Sequence, residues 1–417
     1  MVSLKKFDNG LTLIVEPLSN VRSVSIGIFV GVGSGSERPD QNGLSHFIEH
    51  MNFKGTSSRS AREIAETLDS VGGKLNAYTS KEHTSYYATV LNEHFDLAIE
   101  LLEDIVFNSV YKDHDITTEK KVVLEEISMY EDTPDEIIHD LFVRNIWSSY
   151  HLGQPVIGSR NVVNNITRDN ITDYLKDYYV PENMTISIAG NISLDDAVKK
   201  IRKLFAFKEK GSVLLNYQDN PIFNADINYA NKDTEQVHLC FGSRGLSYHD
   251  NCRYHLLVLS SIIGGSMSSM LFQEIREKRG LAYSIFSYPL YFKNCGLYVL
   301  YAGTNIDKAK NVLEISLEII EKLKKNIPSK MVQRAREQLK GNVILNLEGT
   351  SSKMAWNGKN YFYYGKLMEI DDLFTIINSI TEDDLYKLLN YIFDPKYYSL
   401  SAIGNFQDKN IFEGLLS

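Results

Sequence analysis

Alternation of apolar and polar positions predicts β-strands near the start of each half of this chain. Residues 24–32 (VSIGIFVGV) and 236–242 (QVHLCFG) have the apolar content and period of buried strands. Helical patterns follow each of them, and extended segments then occupy residues 76–90 and 283–303. The same order of elements is therefore predicted twice along the chain.

An internal repeat supports this interpretation, because two segments match without a gap at a constant spacing of 214 residues. They are residues 166–191 (ITRDNITDYLKDYYVPENMTISIAGN) and 380–405 (ITEDDLYKLLNYIFDPKYYSLSAIGN). In each copy a threonine caps an amphipathic helix, a proline follows it, and an alternating strand ends on Gly-Asn. We predict an α+β fold of two homologous halves, each a mostly antiparallel β-sheet with helices packed on one face.

The length of 417 residues also indicates more than one domain, because single cores rarely grow beyond about 300 residues. We predict an N-terminal domain at residues 1–207, a charged and polar linker at 208–231, and a C-terminal homologous domain at 232–417. Only the first domain carries the candidate metal-binding residues described below.

Net charge, the length of apolar runs and the spacing of cysteines disfavour several classes of protein. A net charge of -9 disfavours nucleic acid as a partner. No run of about 18 apolar residues is present, and the chain enters a strand pattern without a signal-peptide core, so we expect no membrane segment. The three cysteines are far apart and form no CxxC pair, which is typical of reduced thiols in a cytoplasmic protein.

The candidate chemistry begins in the segment 43–56 (GLSHFIEHMNFKGT). His46 and His50 are four residues apart and so lie on one face of the predicted helix, where both imidazoles can reach one metal ion. Glu49 lies next to that face, within reach of a water molecule at the metal. This is the H-x-x-E-H arrangement of one class of zinc hydrolases.

A catalytic zinc site needs a third protein ligand, and a second helix is its natural source. Residues 118–129 (TEKKVVLEEISM) predict such a helix, rich in glutamate. Glu126 is the preferred ligand, and Glu119, seven residues earlier, lies on nearly the same face. Glu125 points about 100° away and is the weaker alternative.

Each of these residues has an ordinary alternative role, since a lone histidine on an apolar helix is usually part of the core and a helical glutamate is usually solvated. The repeat helps to discriminate between these roles. At the 214-residue spacing Glu119 corresponds to Gln333 and Glu126 to Lys340, and the second half has no H-x-x-E-H. A structural role would tend to occur in both halves, so the repeat favours a metal site that is needed once.

Three segments together carry a resemblance that covers nearly the whole chain: HFIEHMNFKGT, GGKLNAYTSKEHTSYY and EKKVVLEEI. The chain resembles the family of pitrilysin, insulin-degrading enzyme and mitochondrial processing peptidase, and especially its short bacterial members. The resemblance implies one zinc ion per chain on His46, His50 and Glu126. It also implies that Glu49 is the catalytic base and that Glu119 is an acidic residue that supports the site without binding the metal.

The resemblance extends to substrate contacts. The segment SSMLFQEIREKRGLAYS matches a family segment that supplies an arginine and a tyrosine, which are Arg276 and Tyr283 here. Asn76 and Ala77 match an edge strand that pairs with extended substrate, a mode of recognition that needs no particular substrate side chains. Because longer relatives place the arginine and tyrosine in the last of four domains, the resemblance implies a homodimer whose active sites are shared between subunits.

The expected function is that of a zinc metalloendopeptidase that hydrolyses peptides or unfolded segments. Three alternatives stay open: a catalytically silent partner subunit, a chain active only with a related second subunit, and a metal enzyme of another reaction type. Two imidazoles and a carboxylate favour zinc, although manganese or cobalt can substitute in vitro.

Overall fold

The computed structural model describes residues 2–205, 211, 213, 221–407 and 410–416. The described residues form two compact units, each built on one β-sheet. The first lies within Met1–Ser128, Gln154–Tyr217 and Leu345–Met368, and the second within Met129–Gly153, Gln218–Ile344 and Glu369–Ser417.

The strands of the first unit are β1 (Ser3–Lys6), β2 (Thr12–Pro17), β3 (Ser23–Val30), β4 (Lys74–Thr79), β5 (Thr84–Leu91) and β6 (Met184–Gly190). They form one sheet in the order β1-β2-β6-β3-β5-β4, so that β4 forms one edge. Neighbouring strands are antiparallel except for β2 and β6, which are parallel.

Most helices of the first unit cover one face of this sheet. Alternate β3 residues, Val24, Ile26 and Ile28, are fully buried against them in a single large core. These helices are α1 (Leu44–Met51), α2 (Ala61–Asp69), α3 (Phe95–Phe107), α4 (Asp113–Glu131), α6 (Arg160–Asn165), α7 (Arg168–Tyr178) and α8 (Leu194–Phe205), and α5 (Pro134–Ile146) belongs to the second unit.

One helix from late in the chain, α12 (Thr350–Tyr364), packs on the opposite face of this sheet. Phe29 and Met354 are buried together there. The approach is close, since a Cβ atom on Gly358 would lie 2.2 Å from the Phe29 ring. Lys353 also forms a 2.6 Å ion pair with Glu16 of β2. Contacts with α12 therefore complete the first unit.

The strands of the second unit are β7 (Ile227–Asn231), β8 (Val237–Arg244), β9 (Ala282–Tyr291), β10 (Gly296–Thr304) and β11 (Ser399–Gly404). They form a sheet in the order β7-β11-β8-β10-β9, with β9 at an edge and one parallel pair, β7 with β11. Helix α5 packs on β8 and β11, where Phe142 and Val143 are buried with Cys240 and Val299. The later helices are α9 (Arg253–Ile263), α10 (Ile306–Lys325), α11 (Ser329–Asn346), α13 (Ile370–Ser379) and α14 (Glu382–Ile392).

The predicted fold class and repeat are confirmed. Helices α7 and α14 begin and end at the same spacing, and Thr167 and Thr381 form the same capping box at their starts. Strands β6 and β11, which follow them, both end on the glycine of the repeat. Each half of the sequence thus contributes the same helix–strand unit to a mostly antiparallel sheet.

The compact units differ from the predicted domains in two segments. Residues 129–153 lie in the second unit and residues 345–368 in the first, because α5 and α12 bury their apolar sides on those sheets. The prediction placed helices on one face of each sheet, and α5 and α12 pack on the opposite faces. The predicted linker 208–231 lies partly outside the described residues, and its last five residues are strand β7, which pairs with β11.

Two further expectations were the absence of a membrane segment and of paired cysteines. Within the described ranges no helix combines the length and the apolar character that crossing a bilayer requires. In the same part of the chain no disulfide bond joins the cysteines, of which Cys240 and Cys295 are buried and Cys252 is exposed.

Candidate metal centre

Helix α1 presents its polar face because its apolar face is buried. A buried carboxylate organises its start, since Glu37 accepts hydrogen bonds from the backbone N–H groups of Gly43 at 2.7 Å and Ser45 at 2.6 Å. Gly43 has a φ of 97°, a left-handed conformation that glycine adopts readily. The buried apolar residues are Leu44, Phe47, Ile48 and Met51, and His46, Glu49 and His50 are only partly buried.

Three side chains converge beside α1. The Nε2 atoms of His46 and His50 lie 3.9 and 3.6 Å from Oε2 of Glu126 on α4. One nitrogen or oxygen from each residue lies within 4.8 Å of the others, as ligands of one metal ion would. Glu126 Oε2 is buried and has no hydrogen-bond partner among the described residues. This unpartnered oxygen and the two imidazoles fit a zinc ion, for which two histidines and a glutamate are a common set of ligands.

A second carboxylate fixes the orientation of His50. Oε1 of Glu119, which is almost fully buried on α4, lies 2.8 Å from His50 Nδ1, so Nε2 is left to face Glu126. The other Glu119 oxygen forms a 2.6 Å ion pair with Lys54 just after α1. Contacts of this kind hold a ligating imidazole in one tautomer and one orientation. Glu125, the weaker alternative, is exposed.

The two imidazoles have opposite pKa shifts. Burial, helped by the neighbouring His50, lowers the pKa of His46 to about 4, which leaves this ring neutral and able to bind a metal. Burial also acts to lower the pKa of His50, but the hydrogen bond with Glu119 and the nearby carboxylates outweigh it and raise the pKa. The pKa of Glu119 is lowered because hydrogen bonds from His50 and Lys54 outweigh its burial.

Glu49 lies next to the convergent group and contacts the edge strand. Its Oε2 accepts a 2.6 Å hydrogen bond from the hydroxyl of Thr79, the last residue of β4. Burial raises the pKa of Glu49, and hydrogen bonds from Thr79 act against that rise. A raised carboxyl pKa is a property that general acid–base groups in active sites share.

Asn76 and Ala77 lie on β4, at the open edge of the sheet of the first unit. The Ala77 N–H donates a 2.8 Å hydrogen bond to the side-chain oxygen of the adjacent Asn76. This N–H is therefore not used in the pairing with β5, as expected for a group on the open side of an edge strand.

Arg276 and Tyr283 lie together in the second unit. Arg276 belongs to a π-helical segment, Phe272–Glu277, and its guanidinium lies 5.0 Å from the centre of the Tyr283 ring and 4.8 Å from that of Phe272. Tyr283 is the second residue of the edge strand β9 and is 73% exposed. Both side chains are thus held at a surface where they can contact another molecule.

The residues of the first unit form one cluster: His46, Glu49, His50, Glu119 and Glu126 lie on α1 and α4. Sequence reasoning missed two residues that contact this cluster, Lys54 and Thr79. Both lie inside the segments that carried the family resemblance, so those segments contained the signal. Residue spacing along one helix could not reveal the contacts of Lys54 and Thr79, because each contact joins two separate elements.

The geometry defines a class of protein: a two-sheet α+β protein with a candidate His-His-Glu metal centre on an H-x-x-E-H helix. Residues 13–160 match the model of the insulinase family, peptidase family M16, and residues 165–339 match the peptidase M16 inactive domain. The chain is 41% identical over 399 residues to a Bacillus subtilis protein named uncharacterized zinc protease YmxG, covering 95% of this chain and 97% of that protein. The chain therefore belongs to the M16 peptidase family.

Other relatives agree with this assignment. An uncharacterized zinc protease of Rickettsia felis is 36% identical, with 94% of this chain and 95% of that protein covered. The crystal structure of a Helicobacter pylori protease has a TM-score of 0.91 at 22% identity, covering 97% of this chain and 99% of that chain. At this identity the structural likeness shows the fold alone.

Proposed function

We propose that this chain is a zinc-dependent endopeptidase that hydrolyses peptides or unfolded segments. The observation that carries the proposal is the convergence of ligand atoms from His46, His50 and Glu126 within 4.8 Å, with Glu49 on the same helix as the two histidines. Membership of the M16 peptidase family, with relatives named zinc proteases, supports the same conclusion.

In the proposed reaction the two histidines and Glu126 would hold one zinc ion, and Glu119 fixes the orientation of His50. A zinc ion bound there would supply a Lewis acid, which polarises the scissile carbonyl and lowers the pKa of water toward neutrality. Glu49 takes the proton of the attacking water and then delivers it to the leaving amine. The raised pKa of Glu49 favours the first step, because it strengthens the carboxylate as a proton acceptor.

Substrate would be held mainly through its backbone. An extended peptide would add to the open edge of β4 at Asn76 and Ala77, a mode that accepts many sequences. Arg276 and Tyr283 would place the substrate and donate hydrogen bonds to the developing oxyanion. We propose that they do so from the second subunit of a homodimer, and that the protein acts in the cytoplasm without nucleic acid or membrane partners.

The experiment compares wild type with Glu49→Gln on a quenched-fluorescent peptide library, after the zinc content of both proteins is measured. We expect wild-type cleavage that a chelator abolishes and zinc restores, and a loss of about 10²- to 10⁴-fold in the zinc-loaded variant. Glu125→Gln is the matched control, because that exposed side chain is outside the cluster and should leave the rate unchanged.

A zinc-loaded wild type that cleaves no member of the library would contradict the proposal. The alternatives would then be a catalytically silent partner subunit or a chain that needs a related second subunit. Adding a family member from the same cell to the assay would separate those two.

A further inference from the structure

The contact between Glu49 and Thr79 joins two elements with different proposed tasks. Glu49 is the proposed base on α1, and Thr79 ends the edge strand β4, at which substrate would bind. The Thr79 hydroxyl lies 2.6 Å from Oε2 of Glu49, a short hydrogen bond of the kind that a carboxylate receives. Both side chains are only partly exposed, so water competes with this contact less than it would at the surface.

The turn that follows Thr79 is held at its backbone. The Ser80 N–H donates to the His83 carbonyl at 2.8 Å, and the Ser80 carbonyl accepts from Ser34 at 3.1 Å. The Lys81 carbonyl likewise accepts from Gly35 at 2.7 Å. Two consecutive backbone hydrogen bonds therefore join the turn to the segment before α1.

Side chains hold the same turn. His83 is buried, with the Tyr78 hydroxyl 2.9 Å from its Nε2 and the Ser80 hydroxyl 3.0 Å from its Nδ1. There is no space for the turn to shift toward Gly33, since a Cβ atom at Gly33 would lie 2.2 Å from the Ser80 carbonyl oxygen. Thr79 consequently presents its hydroxyl from a fixed position.

We propose that Thr79 is a positioning residue, whose hydroxyl holds the Glu49 carboxylate in the orientation required for proton transfer; this inference rests on the proposed function. With Oε2 engaged by Thr79, Oε1 is the oxygen that accepts the proton of the attacking water. Since Thr79 belongs to β4, the same strand would align the substrate and orient the base. A peptide bond opposite the end of β4 is then the one that is hydrolysed.

The test replaces Thr79 with valine, which keeps the branched shape but lacks the hydroxyl, and with serine, which keeps the hydroxyl. Errors of about 1 Å in the position of a catalytic group can reduce rates by about 100-fold. For Thr79→Val we expect kcat to fall by about 10- to 100-fold with KM changed less than about 3-fold, because the substrate backbone contacts remain. Thr79→Ser should retain kcat within about 3-fold of wild type.

Thr12→Val is the matched control. Thr12 is buried on β2 of the same sheet, and its hydroxyl donates a 3.4 Å hydrogen bond to the Tyr361 hydroxyl. In the strand order β6, β3 and β5 separate β2 from β4, the strand that carries Thr79. This variant should have wild-type kcat. Zinc content and melting temperature, measured for every variant, separate positioning from folding. If Thr79→Val melts early, Thr79→Ala gives the same comparison with a smaller side chain.

The inference is overturned if Thr79→Val has wild-type kcat, if Thr79→Ser is as impaired as Thr79→Val, or if the loss follows zinc content. A double variant with Glu49→Gln adds a direct test of coupling, because removal of Thr79 should have little further effect once the base is gone. These outcomes differ from failure of the proposed function, in which the zinc-loaded wild type itself would cleave nothing.

Discussion

At the scale of single residues, the two ring nitrogens of His50 face different carboxylates. Nδ1 contacts Glu119 at 2.8 Å and Nε2 faces Glu126 at 3.6 Å. Glu119 is in turn paired with Lys54, so the chain Lys54–Glu119–His50 leads from the surface to the candidate metal position. A buried carboxylate with two cationic or polar partners is well compensated, and the loss of either partner is unfavourable.

The first prediction concerns Lys54. Lys54→Met removes the cation from a buried carboxylate, so we expect the free energy of unfolding to fall by about 1–3 kcal/mol. The zinc dissociation constant should rise by about 10- to 100-fold, because Glu119 would orient His50 less firmly. Urea unfolding and competition with a chromophoric chelator measure the two effects.

Two controls accompany this variant. Lys54→Arg keeps the charge and should lie between wild type and Lys54→Met. Lys176→Met removes an ion pair with Asp173 whose two side chains are exposed, and should change stability by less than about 0.5 kcal/mol. Equal zinc affinity in wild type and Lys54→Met would show that Glu119 orients His50 without help from Lys54.

Residue spacing predicted much of this site in physical terms. His46 and His50 fall on one face because a helix turns every 3.6 residues, and the same rule preferred Glu126 over Glu125. The structure brings Glu126 beside both histidines and leaves Glu125 exposed. Helical periodicity carries no information about contacts between separate elements, and for that reason Lys54 and Thr79 were missed.

At the scale of elements, the β4–β5 hairpin is organised around one buried, neutral histidine. His83 lies between the hydroxyls of Tyr78 and Ser80, and the rings of Phe362 and Tyr363 on α12 lie 5.2 and 6.0 Å from it. Burial, with a contribution from the charge of Lys359, lowers the pKa of His83 to about 3. A positive charge on this ring would therefore destabilise the turn beside Thr79.

This arrangement predicts a loss of stability in acid. Below the unfolded pKa of about 6.5 the unfolded chain binds a proton at His83 that the folded chain excludes until about pH 3. Stability should therefore fall as pH decreases from about 6.5 toward 3, by up to about 1.4 kcal/mol per pH unit from this residue. His83→Gln keeps hydrogen-bonding groups but cannot titrate in this range.

Urea unfolding of both proteins, from about pH 7.5 down to about pH 5, measures this difference. The difference in the free energy of unfolding between wild type and His83→Gln should be constant above about pH 6.5. Below that pH the wild type should lose stability relative to the variant. Parallel curves over the whole range would show that His83 keeps its ordinary pKa in the folded protein.

At the scale of the whole molecule, the repeat predicted the architecture but not the division into compact units. Matching residues at a constant spacing established that α7 and α14, and β6 and β11, are equivalent. Such matching follows the order of elements along the chain and gives no information on which sheet a helix packs against. The placement of α5 and α12 depends instead on close fits such as that of Gly358 on Phe29.

The proposed homodimer makes a prediction at this scale. Glu49→Gln and Tyr283→Phe proteins should each be strongly impaired alone. In a mixed dimer with shared sites, one of the two sites has both wild-type residues, so random exchange should restore roughly a quarter of the wild-type activity. Native mass spectrometry confirms that subunits have exchanged. Full exchange without recovery would assign Tyr283 to the active site of its own chain, or to none.

The position of α12 on the first sheet has a consequence for synthesis on the ribosome. Strand β6, the last strand of that sheet in chain order, ends at Gly190, whereas α12 ends at Tyr364. At about 5–20 residues per second, roughly 10–35 s of translation separate them. During that interval the nascent protein exposes the apolar surface around Phe29 and Ala189, which α12 later covers. Newly made chains are therefore most open to chaperones, and to aggregation, until α12 has been translated.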